Sequence, residues 1–290
     1  MRGGVTSAGA LGPGTLGPET FAFIAGLVRS RAGIVLTPDK GYMLETRLAG
    51  LMKRDGYASL AQLAQALRDP RAEPLLREVV EALTTNESSF FRDGKPFEHV
   101  RRILPALHAA RPAGQRLRIW SAACSTGQEA YSLAMLLIDQ LPELAGRPVE
   151  IFGTDLSREV VERAREGLFS QFEVQRGLPV QMLVRHFTQE GGKWRAKPNL
   201  RALCRFEERN LLADHRGLGS FDLIFCRNVL IYFDTPTKAR VLAALAAQLA
   251  PDGALYLGGA ETVLGVTDRL LPLPGERAVY GPAPALARSA

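Results

Sequence analysis

From near residue 116 short apolar runs alternate with longer amphipathic segments. "RLRIWSAAC", "VEIFGTDLS", "CRFEERNLL", "FDLIFCRNV" and "GALYLGGAET" are short apolar runs ending in polar residues, and amphipathic segments such as "EAYSLAMLLIDQL" and "TKARVLAALAAQLAPDG" separate them. Strands joined by helix-length crossovers run parallel, and strands buried on both faces read as nearly continuous apolar runs. The pattern therefore predicts an α/β domain with a mostly parallel sheet and helices on both faces. The alternation breaks between Gly167 and Arg205, a stretch too long for a usual strand connection. An inserted module is expected there, at about 167–205. Within it Phe187-Thr188, the Gly191-Gly192 pair and Lys193-Trp194-Arg195 read as a hairpin.

Ahead of this region the period changes. From Pro18 to Thr85, "ETFAFIAGLVRSRAG", "KGYMLETRLAGLMKRDG", "SLAQLAQALRD" and "EPLLREVVEALTT" each carry helical spacing and end at Gly, Asp-Pro or a Thr pair. The expected organisation is a flexible Gly-rich tail over 1–17, a small all-helical domain over 18–85, a linker over 86–93 and an α/β domain over 94–290. The tail has no apolar core of an export signal, and no apolar run approaches the roughly 18 residues of a membrane span. A cytoplasmic protein with no integral membrane segment is the expectation. Cys124, Cys204 and Cys226 form no CxxC pair, and the four histidines have no ligand spacing, so neither a disulfide framework nor a metal site is expected. The formal charge of +6 favours acidic partners without choosing among nucleic acid, lipid and protein.

In an open parallel sheet, ligands sit outside the carboxyl ends of the strands. Those ends hold the unusual polar residues of this chain. The first strand runs into "SAACSTGQE", Ser121 to Glu129, whose small side chains permit close backbone approach to a ligand. It has one glycine where the dinucleotide motif has three, and no GKS or GKT phosphate loop exists, so a pyrophosphate is poorly accommodated. The second strand ends at Asp155, where a carboxylate can accept both hydrogens of a ribose diol. A nucleoside ligand without a pyrophosphate satisfies both facts, and S-adenosylmethionine is such a ligand. Taken singly, Asp155 could be a helix N-cap, Cys124 a small buried hydrophobe and Asn210 a turn residue. The fourth strand delivers "CRNVLIYFD", placing Arg227 and Asn228 at its tip and Tyr232 about a turn beyond.

"TTNESSFFRD", "SAACSTGQEAYSLAM", "GTDLS", "FDLIFCRNVLIYFD" and "LYLGGAET", in this order and spacing, resemble the chemotaxis receptor glutamate methyltransferases of the CheR type. "RAGIVL", Arg31 to Leu36, followed by a basic helix, resembles the small N-terminal domain of that family, so the likeness covers nearly all of the chain beyond the tail. The resemblance implies a Rossmann-like S-adenosylmethionine-dependent methyltransferase domain with a small β-subdomain insertion, preceded by the helical domain. It implies esterification of glutamate side chains on chemoreceptor cytoplasmic domains, with S-adenosylhomocysteine as the second product. By matching position the cofactor would touch Asn86, Ser88, Arg92, Glu129, Asp155, Asn210, Leu211, Arg227 and Asn228. Ser88 stands where the family more often has Thr, and Gln128 and Ala130 replace the frequent Glu and Pro beside Glu129.

On this reading Arg92 and Tyr232 orient the incoming carboxylate, while Phe90 and Phe91 shape and dry the mouth of the site. Arg47, Lys53 and Arg54 of the basic helix meet the acidic methylation helices of the receptor; a solvated helix face is the competing account of these three. The tight Gly191-Gly192 turn leaves little backbone for an added peptide strand, so binding of a receptor C-terminal pentapeptide is expected to be weak or absent. A monomer that binds no nucleic acid is expected. Two other readings stay open: a non-catalytic module that binds cofactor or receptor, and a nucleic-acid methyltransferase, whose usual Asn-Pro-Pro-aromatic tip is absent from Arg227-Asn228-Val229.

Overall fold

A computed structural model describes residues 16–140 and 148–284, so the tail expected over 1–17 lies outside the described residues except for Leu16 and Gly17. The chain divides into two compact units, one through Thr84 and one from Thr85 onward. Among its described residues the first contains four α-helices: α1 (Pro18–Ala32), α2 (Gly41–Asp55), α3 (Leu60–Ala66) and α4 (Glu73–Leu83). Proline in the first turn opens α1, and left-handed Gly33 and Gly56 close α1 and α2. Phe21, Ile24, Val28 and Ala32 of α1, Leu44, Leu48 and Leu51 of α2, and Leu76, Val79, Val80 and Leu83 of α4 recur at three- and four-residue steps and form the buried faces.

The second unit opens with the linker and α5 (Lys95–Ala110). It continues through β1 (Leu117–Ala122), α6 (Gln128–Gln140), β2 (Val149–Asp155) and α7 (Arg158–Glu166). After the insert come β6 (Cys204–Glu208), β7 (Phe221–Cys226), α11 (Thr235–Ala246), β8 (Leu249–Leu257), β9 (Leu270–Pro272) and β10 (Val279–Pro282). Seven strands form one sheet in the order β6-β2-β1-β7-β8-β10-β9. The first five are parallel, and β10 and β9 add antiparallel at one edge. All six residues of β7 are buried, which is why that strand reads as an apolar run broken only by Asp222, whose carboxylate is paired with Arg111 at 2.6 Å. From β1 the chain winds through β2 to β6 on one side, then crosses to β7 and β8 on the other. The winding thus reverses between β1 and β7, and the carboxyl ends there form the crevice in which such sheets bind ligands.

The insert holds β3 (Leu168–Ser170), α8 (Gln171–Gln175), α9 (Val180–His186), β4 (Phe187–Glu190), β5 (Lys193–Ala196) and the single turn α10 (Pro198–Arg201). The expected hairpin is present: Gly191 and Gly192 have φ of 52° and 80°, the two left-handed positions of a tight two-residue turn. The sequence pattern does not reveal β3, which pairs with β5 to complete a three-stranded antiparallel sheet. Phe169 and Phe187 from this small sheet meet Phe90 of the linker edge-on, at 5.0 and 5.7 Å. Gly177 lies so close to the linker that a Cβ on it would sit 2.1 Å from the Phe90 carbonyl oxygen, and its φ is +83°. The insert therefore holds the linker by direct packing.

Candidate functional site

Three segments meet at the reversal point: the linker, the loop from β1 into α6, and the turn after β7. Their backbones are strained. Among the described residues Phe91, Asp93, Ala123, Ser125, Asn228 and Ala278 are the non-glycine residues with positive φ, and all but Ala278 lie in these three segments. Such conformations cost about 1–3 kcal/mol each and persist where surrounding contacts impose them.

Those contacts can be named. Asp155, 7% exposed, ends β2 and accepts the Ser125 N–H at 2.9 Å and the Ser157 N–H at 3.1 Å, which holds the β1 loop against β2. The Ser125 hydroxyl donates to the Asn86 carbonyl at 2.7 Å, tying the linker to the same loop. The Phe91 N–H donates to Ser132 Oγ at 2.9 Å, a second tie from the linker to α6. Arg227, at the end of β7, has a side chain only 2% exposed. It donates to Glu129 at 2.9 Å, to Asp93 at 2.6 Å and to the Arg92 carbonyl at 2.9 Å. Glu129 also accepts from the Ser121 hydroxyl at 2.7 Å. One buried guanidinium thus joins β1, α6, β7 and the linker.

The structure brings Asn86, Arg92, Glu129, Asp155, Arg227 and Asn228 together, with Ser88 half-buried on the same linker. Asn86 takes part through its carbonyl oxygen. Arg92 is half-buried, and its guanidinium donates to the Glu87 carbonyl at 3.3 Å. Asn210 follows β6, where the Asp155 carbonyl accepts the Arg209 N–H at 2.7 Å, and Asn210 Oδ1 accepts the Leu212 N–H at 2.9 Å. Leu211 is buried beside it. Tyr232 ends a single helical turn, Leu230–Tyr232, and is half-buried.

The basic helix behaves differently from its sequence pattern. Arg47 donates to the Leu83 and Thr84 carbonyls at 3.0 and 2.6 Å, supplying donors to the carbonyl end of α4. Arg54 pairs with Asp55 at 2.7 Å and Glu78 at 2.5 Å. Lys53 is exposed. Of the aromatic pair, Phe90 has no exposed surface and lies in the core rather than at a mouth, while Phe91 is half-buried and packs on Phe97 at 5.2 Å.

Asp93, Ser121, Ser125 and Glu261 escaped the sequence reading. The usable signal was the polar cluster at each strand end, but the partners are distant along the chain. Chemically, the site is built to hold rather than to attack. Burial pushes the Cys124 thiol up, reinforced by the carboxylates of Asp155 and Glu129, and burial does the same to Cys226 beside Glu261 and Glu129. Neither is a thiolate nucleophile at neutral pH. A carboxylate offers about four acceptor positions, so Asp155 can hold the β1 loop and still meet a ribose. Arg227 Nε is a buried donor that finds no partner among the described residues. Both features fit a polar nucleoside ligand at this end of the sheet. Among the described residues no group of three or more His, Cys, Asp or Glu is placed to hold a metal ion, and no helix is long and apolar enough to cross a membrane.

Comparison with known proteins matches both units. Residues 86–279 match the family model described as CheR methyltransferase, SAM binding domain, and residues 19–84 match the CheR methyltransferase all-alpha domain. The chain is 41% identical over 254 residues to chemotaxis protein methyltransferase 1 of Pseudomonas aeruginosa, covering 86% of this chain and 92% of that protein. It is 39% identical to chemotaxis protein methyltransferase Cher2 of Pseudomonas putida, covering 81% and 87%. It is 36% identical to chemotaxis protein methyltransferase 1 of Vibrio cholerae, covering 88% and 93%.

Proposed function

Because the chain belongs to the CheR methyltransferase family, enzymes of chemotaxis that use S-adenosylmethionine, we propose that it methylates glutamate side-chain carboxylates on chemoreceptor cytoplasmic domains, giving glutamate methyl esters and S-adenosylhomocysteine. The observation that supports this most directly is the bridge from exposed Asp93 through buried Arg227 to Glu129, which ties the 86–93 linker to the ends of β1 and β7. A glutamate with a pKa of about 4.3 is ionised at neutral pH, so the acceptor needs no general base. Bound here, S-adenosylmethionine supplies an electrophilic methyl group on a sulfonium centre.

The remaining task for the protein is positioning. Asp155 is assigned the ribose hydroxyls, and Asn86, Ser88, Glu129, Asn210, Leu211, Arg227 and Asn228 the rest of the cofactor. Arg92 is assigned to both the cofactor and the carboxylate, and Tyr232 to the carboxylate alone. Tight neutralisation of that carboxylate would weaken it as a nucleophile, so both donors orient it. Phe90 fixes the linker, and half-buried Phe91 is the aromatic left to exclude water. A drier site favours a reaction in which a cation and an anion give neutral products.

In the helical unit, exposed Lys53 and ion-paired Arg54 are assigned to the acidic receptor helices. Arg47 contributes there through the α4 end that it caps. The two-residue hairpin turn supports weak or absent binding of a receptor tail pentapeptide, so recognition rests on the methylation region. We take the enzyme as a cytoplasmic monomer. Incubation with tritiated S-adenosylmethionine and receptor cytoplasmic fragments tests the reading: label released as volatile methanol by mild base supports it, and base-stable label or none refutes it.

A further inference from the structure

One carboxylate outside the assigned cofactor and acceptor contacts joins the turn after β7 to the turn after β8. Glu261 is 7% exposed. Its Oε2 accepts the Asn228 N–H at 2.8 Å and the Gly258 N–H at 2.6 Å, and its Oε1 accepts the Ile231 N–H at 3.2 Å. The two turns touch: a Cβ on Gly258 would lie 2.7 Å from Asn228 Nδ2 and 2.8 Å from Glu261 Oε2. Asn228 stands at φ +59°, a left-handed conformation that Asn tolerates better than most residues but that still needs outside support. Ile231 is the central residue of the turn that ends at Tyr232.

We propose that Glu261 is a positioning residue for methyl transfer, whose carboxyl group sets the backbone of residues 228–232 so that Asn228 faces the cofactor and Tyr232 the acceptor carboxylate. The inference rests on the roles proposed above for Asn228 and Tyr232. It follows from hydrogen-bond geometry. An anion that accepts backbone N–H groups makes charge-assisted bonds of about twice the neutral strength. Both oxygens here are directed at the segment that carries the two side chains. A glutamine in its place presents an amide N–H₂ to at least one of the three donors. The left-handed turn then loses its support while the volume of the side chain is kept.

The test is a pair of double-mutant cycles on the full chain, after Trp fluorescence unfolding has established that each variant is folded. In the first, S-adenosylhomocysteine affinity is measured by calorimetry for Glu261→Gln, Asn228→Ala and the double variant. Glu261→Gln should weaken binding about tenfold, and the double variant should be no weaker than Asn228→Ala alone, because the two act through one interaction with the ligand. In the second, kcat at saturating cofactor and receptor fragment is measured for Glu261→Gln, Tyr232→Phe and both together. The loss from Glu261→Gln should largely vanish in the Tyr232→Phe background. A merely structural glutamate gives additive losses in both cycles, and additivity overturns the proposal. The binding cycle needs no acceptor, so failure of the glutamate-methylation reading leaves it intact and is told apart from failure of this one. If Glu261→Gln does not fold, Glu261→Asp, which keeps the charge and withdraws the oxygens by one methylene, carries the same expectations. If neither variant folds, Glu261 is a stability residue and the proposal fails.

Discussion

Replacing Arg227 by Met should lower the unfolding midpoint of the second unit. Its side chain is 2% exposed and Glu129 is 13% exposed, so this pair is buried, whereas Asp93 is 53% exposed. The exposed arm contributes little, about 0–1 kcal/mol. Removing one partner of a buried pair costs about 3–5 kcal/mol, because the other charge is stranded. Here Glu129 would keep only the Ser121 hydroxyl among the side-chain donors described above. For a unit of this size each kcal/mol moves the midpoint by roughly 2–4 °C, which gives an expected fall of roughly 6–20 °C. Both tryptophans, Trp120 and Trp194, lie beyond Thr85, so their fluorescence reports this unit alone. Glu129→Gln in the same chain should restore part of the stability, making the double variant more stable than the sum of the singles by about 0.5–3 kcal/mol. A midpoint moved by less than about 2 °C in Arg227→Met, or strictly additive singles, would refute the reasoning that this guanidinium holds the site together.

Four further outcomes are expected. Asp155→Ala should weaken S-adenosylhomocysteine binding by about 10- to 150-fold for each ribose hydrogen bond it removes, measured by calorimetry, and unchanged affinity in a folded variant would remove the ribose assignment. Lys53→Ala with Arg54→Ala should raise the KM for receptor fragments and flatten its salt dependence, with an unaltered salt response returning this face to simple solvation. Arg47→Ala should instead lower the stability of the helical unit by about 1–3 kcal/mol, as the α4 carbonyls are deprived of their donor. Burial holds His99 below its ordinary value of 6.5, so the unfolded chain takes up that proton first as pH falls. Stability contributed by neutral His99 is therefore complete above 6.5 and declines as pH drops toward the folded value, and denaturant titrations of His99→Gln should show a shallower decline over that window.

The sheet was legible because strands buried on both faces are apolar nearly throughout, as in β7, whose single charged residue Asp222 is paired with Arg111, and the hairpin because adjacent Gly191 and Gly192 specify a two-residue turn. Strand β3, three residues long, is too short to show a period. The strand-end residues were legible as a set because fold topology directs ligands there. Their wiring was not: Arg227 meets Asp93 across 134 positions, and Glu261 acts on the Asn228 N–H across 33. A hydrogen bond to a backbone N–H leaves no trace in the identity of the residue that donates it. The same limit explains Arg47, since helical spacing places it among polar positions and says nothing of the carbonyls it meets.

The acceptor atom proposed for this enzyme is a glutamate carboxylate oxygen. Tandem mass spectrometry of receptor cytoplasmic helices, after incubation with the protein and S-adenosylmethionine, reads that atom most directly. Added methyl groups should be confined to glutamate side chains and erased by mild base; methyl groups on lysine, arginine or cysteine, or none on any receptor helix while the cofactor is bound, would rule out glutamate as the acceptor.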